Sequence, residues 1–423
     1  MDEARSARGR GGAWRSQAVI AGAGIFVGSY DLGAIAVAFD PLERQWHLSG
    51  AVVTALGTST LVGMLLGSLV TGVLADRFGR RRLILVDFVL FVVAGVGSAL
   101  APDFGVLAAA RLLAGVAIGM DFAVVFPFVA ETAPTRSRGR AMAWIMWAAN
   151  FGTLGAYGVG ALALHLYPVS GWRVTLGLGV VLAFPVLSVR NRLDESPAWD
   201  VARLPSLRSI ARSTAEHARG SRLAASAVAT FLYQVGDQGL GLVLPLLLAT
   251  VLASSASTGA AGATAVKAVT IPAATVTVLG IEWIGRRRLQ VLGFAARAAA
   301  FGALGVGLVA LVHLGPVLTG GLLAAGYFFG AVGPDKTTVI VPAEDAPSEV
   351  RSTNQGVSQA AGRLGGIVGV TCYGLLAAAG GPGAGLLLFA GTALAGAVVS
   401  ALGMSRSGTI GAEAGPRSHR SSV

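Results

Sequence analysis

Gly72-Val-Leu-Ala-Asp76-Arg77-Phe78-Gly79-Arg80-Arg81-Arg82 is a short charged stretch with a long apolar run on either side, so only a tight turn can join the two runs. A similar stretch, Glu282-Trp283-Ile284-Gly285-Arg286-Arg287-Arg288, stands between two other apolar runs, and Glu282 follows Asp76 by 206 residues. An acid, a glycine three residues later and then three arginines, used twice about half a chain apart, marks a duplicated unit. Gly79 and Gly285 allow the turn, and the arginines hold it on the cytoplasmic side of a membrane. Asp76 and Glu282, each at a helix end, can pair with an arginine of a neighbouring loop and latch one conformation.

The composition agrees with a membrane setting. The chain has 423 residues, of which 54% are hydrophobic and 13% charged, and its mean hydropathy is +0.70. That leaves too few polar groups to cover a water-soluble globule of this size. The net charge of +11 and the pI of about 10.9 do not indicate nucleic acid. The arginines fall in short clusters between apolar runs rather than on one face of a domain, so the basicity reads as topology. A single cysteine, Cys372, lies within an apolar run and excludes a disulfide framework. Five scattered histidines make no metal cluster, and no cofactor motif or pair of nucleophile and base stands at workable spacing, so neither metal, cofactor nor enzymatic activity is expected.

Apolar runs occupy about 17–39, 50–75, 83–101, 104–132, 140–165 and 172–190, then about 222–252, 260–282, 289–313, 316–343, 354–379 and 382–403. Each is near or above the ~20 residues that a bilayer core requires, which predicts an all-α membrane protein of about twelve transmembrane helices. The expected organisation is a basic cytoplasmic tail over 1–16, a six-helix bundle over 17–190, a cytoplasmic linker over 191–221, a second six-helix bundle over 222–403 and a tail over 404–423. Arginine-rich connections alternate with arginine-poor ones, Arg44 and Arg173 being the main exceptions, and this places both termini in the cytoplasm. The linker composition suits a short amphipathic interfacial helix or two.

A second echo supports the repeat. Glu131-x-x-Pro134-x-x-x-Arg138 closes the fourth run and Glu344-x-x-Pro347-x-x-x-Arg351 closes the tenth, with Glu344 213 residues after Glu131. Parallel six-helix units joined by a cytoplasmic linker are a transporter architecture, with the substrate site near mid-membrane between the halves. A channel would need neither the paired latch loops nor matched halves carrying embedded acids and bases.

Asp76-Arg77-Phe78-Gly79-Arg80-Arg81-Arg82 resembles the loop signature of the major facilitator superfamily. Arg111-Leu-Leu-Ala-Gly115, Glu131-x-x-Pro134-x-x-x-Arg138-Gly139 and Glu195-Ser196-Pro197 resemble its branch of sugar porters and proton-coupled symporters of phosphate and other metabolites. The similarity extends from the first helix to the last. Ile118-Gly119-Met120-Asp121-Phe122, Gly333-Pro334-Asp335-Lys336-Thr337-Thr338 and Ala360-Ala361-Gly362-Arg363 look most like phosphate symporters. Four positions depart from that pattern: Phe122 replaces a tyrosine, Ala149 a glutamine, Asp335 an asparagine and Gln234 an aspartate. Lost hydrogen-bonding groups and an added carboxylate weaken a site for a small dianion, which points away from phosphate itself.

Charges inside the membrane carry the mechanistic expectations. At the bilayer centre a charge costs from about 3 kcal/mol on insertion scales to more than about 10 in simulations, so it needs a partner, a wet cavity or a function. Asp31 and Arg111 fall at similar depth in the outer half. The resemblance assigns them proton coupling, because the matching pair has that role in sugar porters; a structural salt bridge is the alternative. Asp121, about 15 Å deeper than Arg111 on the same helix, is expected near the midplane with its counterpart Asp335, with Lys336 and with Arg363. These four, together with Gln234 and Asp237, are the expected substrate-binding residues; the alternative is a self-neutralising network that fixes helix packing. Trp144 and Trp147 are read as packing groups, and Met120, Met142 and Met146 as gap-fillers.

Asp76, Gly79, Arg80, Glu131, Arg138, Glu282, Gly285, Arg286, Glu344 and Arg351 form the expected gating loops. The expected function is secondary active transport by alternating access, as proton-coupled symport of a small polar or anionic organic metabolite such as a sugar, polyol or organic acid. Proton-driven efflux of a small molecule or natural product remains open, and inorganic phosphate uptake is less favoured. The expected partners are the substrate, protons and the lipid bilayer, without nucleic acid, with the chain acting as a monomer in the cell membrane.

Overall fold

The computed structural model describes residues 2–199, 206–219, 222–251, 255–310 and 314–404. Parts of the expected linker (200–205 and 220–221), His313, His419 and the tail arginines Arg406, Arg417 and Arg420 lie outside the described residues. The described chain is helical, with no strand. Six long helices come first: α1 (Asp2–Trp46), α2 (Gly50–Phe78), α3 (Arg80–Ala99), α4 (Phe104–Thr132), α5 (Arg138–Leu166) and α6 (Gly171–Arg190). After α7 (Leu207–Arg219) on the linker come α8 (Arg222–Val251), α9 (Ala256–Ala268), α10 (Thr270–Ile284), α11 (Arg286–Val309), α12 (Pro316–Val332), α13 (Pro334–Asp345) and α14 (Arg351–Gly403).

Among the described residues nine segments are long and apolar enough to span a bilayer. One of them contains α14, which bends at Gly381 (φ 77°) before Pro382 and so makes two crossings. The pairs α9–α10 and α12–α13 each form one crossing. The run over 316–343, expected as one helix, breaks because Pro334 supplies no backbone N–H, and Gly333 takes up the break with φ −130° and ψ −83°. Helices α5 and α8 complete the twelve crossings. They stand outside the nine apolar segments and contribute much of the polar lining of the central cavity.

Glycines set close helix crossings, and one such crossing recurs in both halves. A Cβ on Gly152 of α5 would stand 2.3 Å from the Phe26 carbonyl oxygen of α1, and one on Gly365 of α14 would stand 2.2 Å from that of Phe231 on α8. Phe231 follows Phe26 by 205 residues and Gly365 follows Gly152 by 213, close to the spacing of the repeated loop motifs. The duplication therefore shows in packing as well as in sequence. Between the halves, α2 lies directly on α14: a Cβ on Gly72 would meet the Ser352 carbonyl at 2.6 Å, and one on Gly356 the Ser68 carbonyl at 2.3 Å.

The two signature turns connect α2 to α3 and α10 to α11. Gly79 (φ 97°) and Gly285 (φ 90°) occupy a region that side chains avoid, so each turn is closed by a single residue. Both turns lie at the end of the bundle where α1 and α8 begin, here called the basic end.

Candidate functional site

At the basic end the charged motifs interlock across the two halves. Asp76 accepts hydrogen bonds from the Ser352 N–H (3.1 Å), the Thr353 N–H (2.8 Å) and the Thr353 hydroxyl (2.7 Å), all on α14. Arg80 pairs with Asp76 at 3.0 Å and Glu131 at 3.1 Å, and donates to the Ser348 carbonyl at 3.0 Å. Arg351 reaches Glu131 from the other half at 3.3 Å. Glu195 accepts from the N–H groups of Arg80 (2.8 Å) and Arg81 (3.2 Å), while the Ser196 hydroxyl donates to Glu131.

The second copy is built alike. Arg286 pairs with Glu282 at 2.7 Å and Glu344 at 3.0 Å, and Glu282 accepts from the Arg140 N–H of the first half at 3.0 Å. Arg138 lies at this junction with its buried Nε unpartnered. The basic end is thus closed by charge-assisted bonds that run between the halves.

Between the halves lies a central cavity of about 100 Å³. The first half contributes Ser29, Asn150, Thr153 and Tyr157 with Phe122 and Met146; the second contributes Tyr233, Gln234, Asp237, Gln238, Lys267, Tyr327, Asp335 and Arg363. The first-half wall therefore hydrogen-bonds without formal charge, and the charges come from the second half. Lys267 Nζ is 3.9 Å from Asp237 and 3.8 Å from the Tyr327 ring centre. Arg297, one layer behind, is 3.6 Å from Asp237 and stacks on Tyr233 and Phe301. Lys336 is fully buried and donates to Asp335.

Arg363 differs from these cations. It is 1% exposed, lies 4.9 Å from the Phe122 ring centre and donates only a long hydrogen bond, 3.4 Å, to the Gln359 amide. No carboxylate among the described residues pairs with it. Buried atoms without partners among the described residues gather here: Gln234 Oε1, Asn150 Nδ2, Arg363 Nε and the Tyr327 hydroxyl. Such groups are expensive to leave unbonded and are the natural contacts for a polar ligand.

Of the expected binding residues, Gln234, Asp237, Asp335 and Arg363 line this cavity, and Lys336 stands behind Asp335. Asp121 does not. It belongs to a separate buried triad in which Arg190 donates to Asp121 at 2.7 Å and to Asp87 at 3.0 Å. Depth along α4 was legible, but Asp121 is drawn away from the cavity by an arginine at the end of α6. Gly24 of α1 closes over this triad, since a Cβ there would stand 1.9 Å from Arg190.

Asp31 and Arg111 meet at 2.6 Å, with Arg111 also donating to the Ser98 hydroxyl at 3.0 Å. Trp144 is half exposed on the bundle surface, whereas Trp147 donates to Thr275 of the second half at 2.9 Å. Tyr157 likewise bridges the halves, donating to the Gly241 carbonyl at 2.9 Å. Lys267 and Arg297 had no place among the expected site residues. Each is a cation within an apolar run, the signal that singled out Arg111, and would have been found by applying it throughout.

Two six-helix repeats clasping a charged cavity and latched at one end by matched loops define a secondary transporter of the major facilitator fold. The chain belongs to the sugar (and other) transporter family, whose model matches residues 18–406. It is 27% identical to the inorganic phosphate transporter PHO84 of Saccharomyces cerevisiae, over 84% of this chain and 75% of that one. It is 25% identical to the putative niacin/nicotinamide transporter NiaP of Bacillus subtilis, over 85% and 88% of the two chains. The solved proton:xylose symporter XylE superposes with a TM-score of 0.77 at 20% identity, covering 90% of this chain and 94% of that one.

Proposed function

We propose that this transporter carries a small organic anion across the cell membrane by proton-coupled symport, with the basic end and both termini in the cytoplasm. The observation that carries this reading is Arg363, a buried guanidinium at the cavity wall with no carboxylate partner among the described residues. Around it Lys267, Arg297 and Lys336 outnumber Asp237 and Asp335, so the six groups leave an excess of two positive charges. A carboxylate entering this low-dielectric site offsets a charge that the protein leaves uncompensated. Its carbon skeleton would lie against Phe122, Met146, Tyr233 and Tyr327, while Asn150, Gln234 and Gln238 offer hydrogen bonds to polar substituents.

Asp31 and Arg111 serve as the coupling pair. The 2.6 Å contact between Asp31 and Arg111 is the element that opens and closes as the two halves rock. One proton enters with the anion and leaves with it, so the inward pH gradient drives accumulation. The bundles over 17–190 and 222–403 rock about the cavity, and the Asp76 and Glu282 turns hold the cytoplasmic side shut. One chain completes the cavity, which suits a working monomer.

The test uses purified protein in proteoliposomes with a pH dye inside, given benzoate, nicotinate, xylose, inositol and phosphate in turn. A carboxylate acidifies the lumen, and Asp31→Asn removes the signal. Acidification by xylose or inositol alone, with no response to any carboxylate, would overturn the anion assignment. Counter-movement of protons with a preloaded anion would assign efflux instead.

A further inference from the structure

The basic-end half of α14 carries an unusual run of buried hydrogen-bonding side chains. Ser352, Gln355 and Gln359 are fully buried, and Arg363 is 1% exposed. Both polar atoms of the Gln355 amide, the Gln359 Nε2, the Ser352 hydroxyl and the Arg363 Nε have no hydrogen-bond partner among the described residues. At 100° per residue Ser352, Gly356, Gln359 and Arg363 share one helical face, with Gln355 at its edge. That face meets the first half. The α2 backbone lies on it through the Gly72 and Gly356 contacts, and Phe122 of α4 covers Arg363.

Packing alone does not account for glutamines at these positions. An unpartnered buried amide destabilises by about 1–3 kcal/mol, and apolar residues of the same volume would remove that penalty. The stripe also has a direction. It begins at Arg363 on the cavity wall, passes Gln359 and Gln355 at one-turn intervals, and ends at Ser352 and Thr353, the groups that Asp76 holds. Arg363 and Gln355 are about 12 Å apart along the axis.

We infer that Gln355 and Gln359 form a transit site for the carboxylate of the cargo, a ladder of amide donors that is uncovered when α2 leaves α14 and leads from Arg363 to the cytoplasmic mouth. The class of ligand rests on the organic-anion reading above; the uncovering of the stripe does not. In the latched state both polar atoms of the Gln355 amide and the Gln359 Nε2 have no protein partner among the described residues, and this favours opening. In the open state water or the anion satisfies the ladder, and each rung is weak enough to release what it holds.

The single cysteine makes a direct test practical. In full-length Cys372→Ser protein, Gln355→Cys or Gln359→Cys is exposed from the basic end to two impermeant thiol reagents, an anionic sulfonatoethyl and a cationic trimethylammonioethyl methanethiosulfonate. Both positions react slowly with Asp76 intact and at least about tenfold faster with Asp76→Asn, since the latch closes the face. At Gln359→Cys the anionic reagent is the faster, because of Arg363. Thiols that stay unreactive after the latch is cut, or a faster cationic reagent, would overturn the inference.

A second measurement needs neither reagent nor open state. Gln355→Met leaves the thermal unfolding midpoint unchanged or raised, as expected when an unsatisfied amide is removed. A midpoint lowered by several degrees would show that this amide holds the fold and would refute the transit role. Failure of any organic anion to be transported in proteoliposomes would sink the proposed cargo while leaving the accessibility and stability results to stand.

Discussion

Replacing Asp76 by asparagine should move the alternating-access equilibrium toward the state open at the basic end. Asp76 is 2% exposed and accepts three hydrogen bonds from α14, at 3.1, 2.8 and 2.7 Å, besides its bond to Arg80. The side chain of asparagine has one acceptor oxygen and turns an amide donor toward the donors that Asp76 now faces. Each of the three bonds between the halves loses charge assistance worth about 1 kcal/mol, so the closed state is weakened by about 3 kcal/mol. That changes the ratio of closed to open molecules on the order of a hundredfold. The helix contacts of Gly72 and Gly356 remain, so the fold is retained. Spin labels on the basic ends of α2 and α14, with the distance distribution read by pulsed electron resonance, would show a longer population in Asp76→Asn. An unchanged distribution in a protein of normal thermal stability would refute the latch assignment, and with it the view that the repeated turns act between the halves.

Three further outcomes are expected. Asp31→Asn should abolish accumulation driven by a pH gradient while leaving exchange of substrate across the membrane, and retained pH-driven accumulation in a counterflow and dye assay would contradict the coupling role. Arg363→Met should weaken binding of an organic anion about 10- to 100-fold, from the loss of one charged hydrogen bond, with partial recovery in Arg363→Lys; isothermal titration showing unaltered affinity would remove Arg363 from the site. Gly365→Ala should lower thermal stability by about 1–3 kcal/mol, because its Cβ would stand 2.2 Å from a backbone carbonyl on α8. Gly158→Ala, which meets nothing within 4 Å, serves as its control in the same melting experiment, and equal midpoints for the two would count against the packing argument.

The repeated turns were legible because a membrane simplifies the problem. Apolar runs must be helices, charged turns must lie at their ends, and a glycine between two helices has few tasks other than to take a positive φ. Twelve crossings in two halves followed from that reasoning. The break at Gly333–Pro334 stood in plain sight as well, but a run of the right length concealed it. Among the charged residues, depth along each helix was accessible from counting, and this set Asp31 level with Arg111.

Azimuth was not accessible, and azimuth decides which charges meet. Asp121 stands at a depth suited to the cavity, yet it is bound by Arg190, which belongs to another helix and ends the first bundle. Arg297 sits in a strongly apolar stretch of α11, and only the arrangement of helices in the second half brings it to 3.6 Å from Asp237. By itself the sequence determined the number of helices, their duplication and the chemistry of the loops, since these depend on hydropathy and spacing along one dimension. The tertiary structure decided which buried charges neutralise one another and which, like Arg363, are left facing the cavity, because that balance depends on distances between helices far apart in the chain.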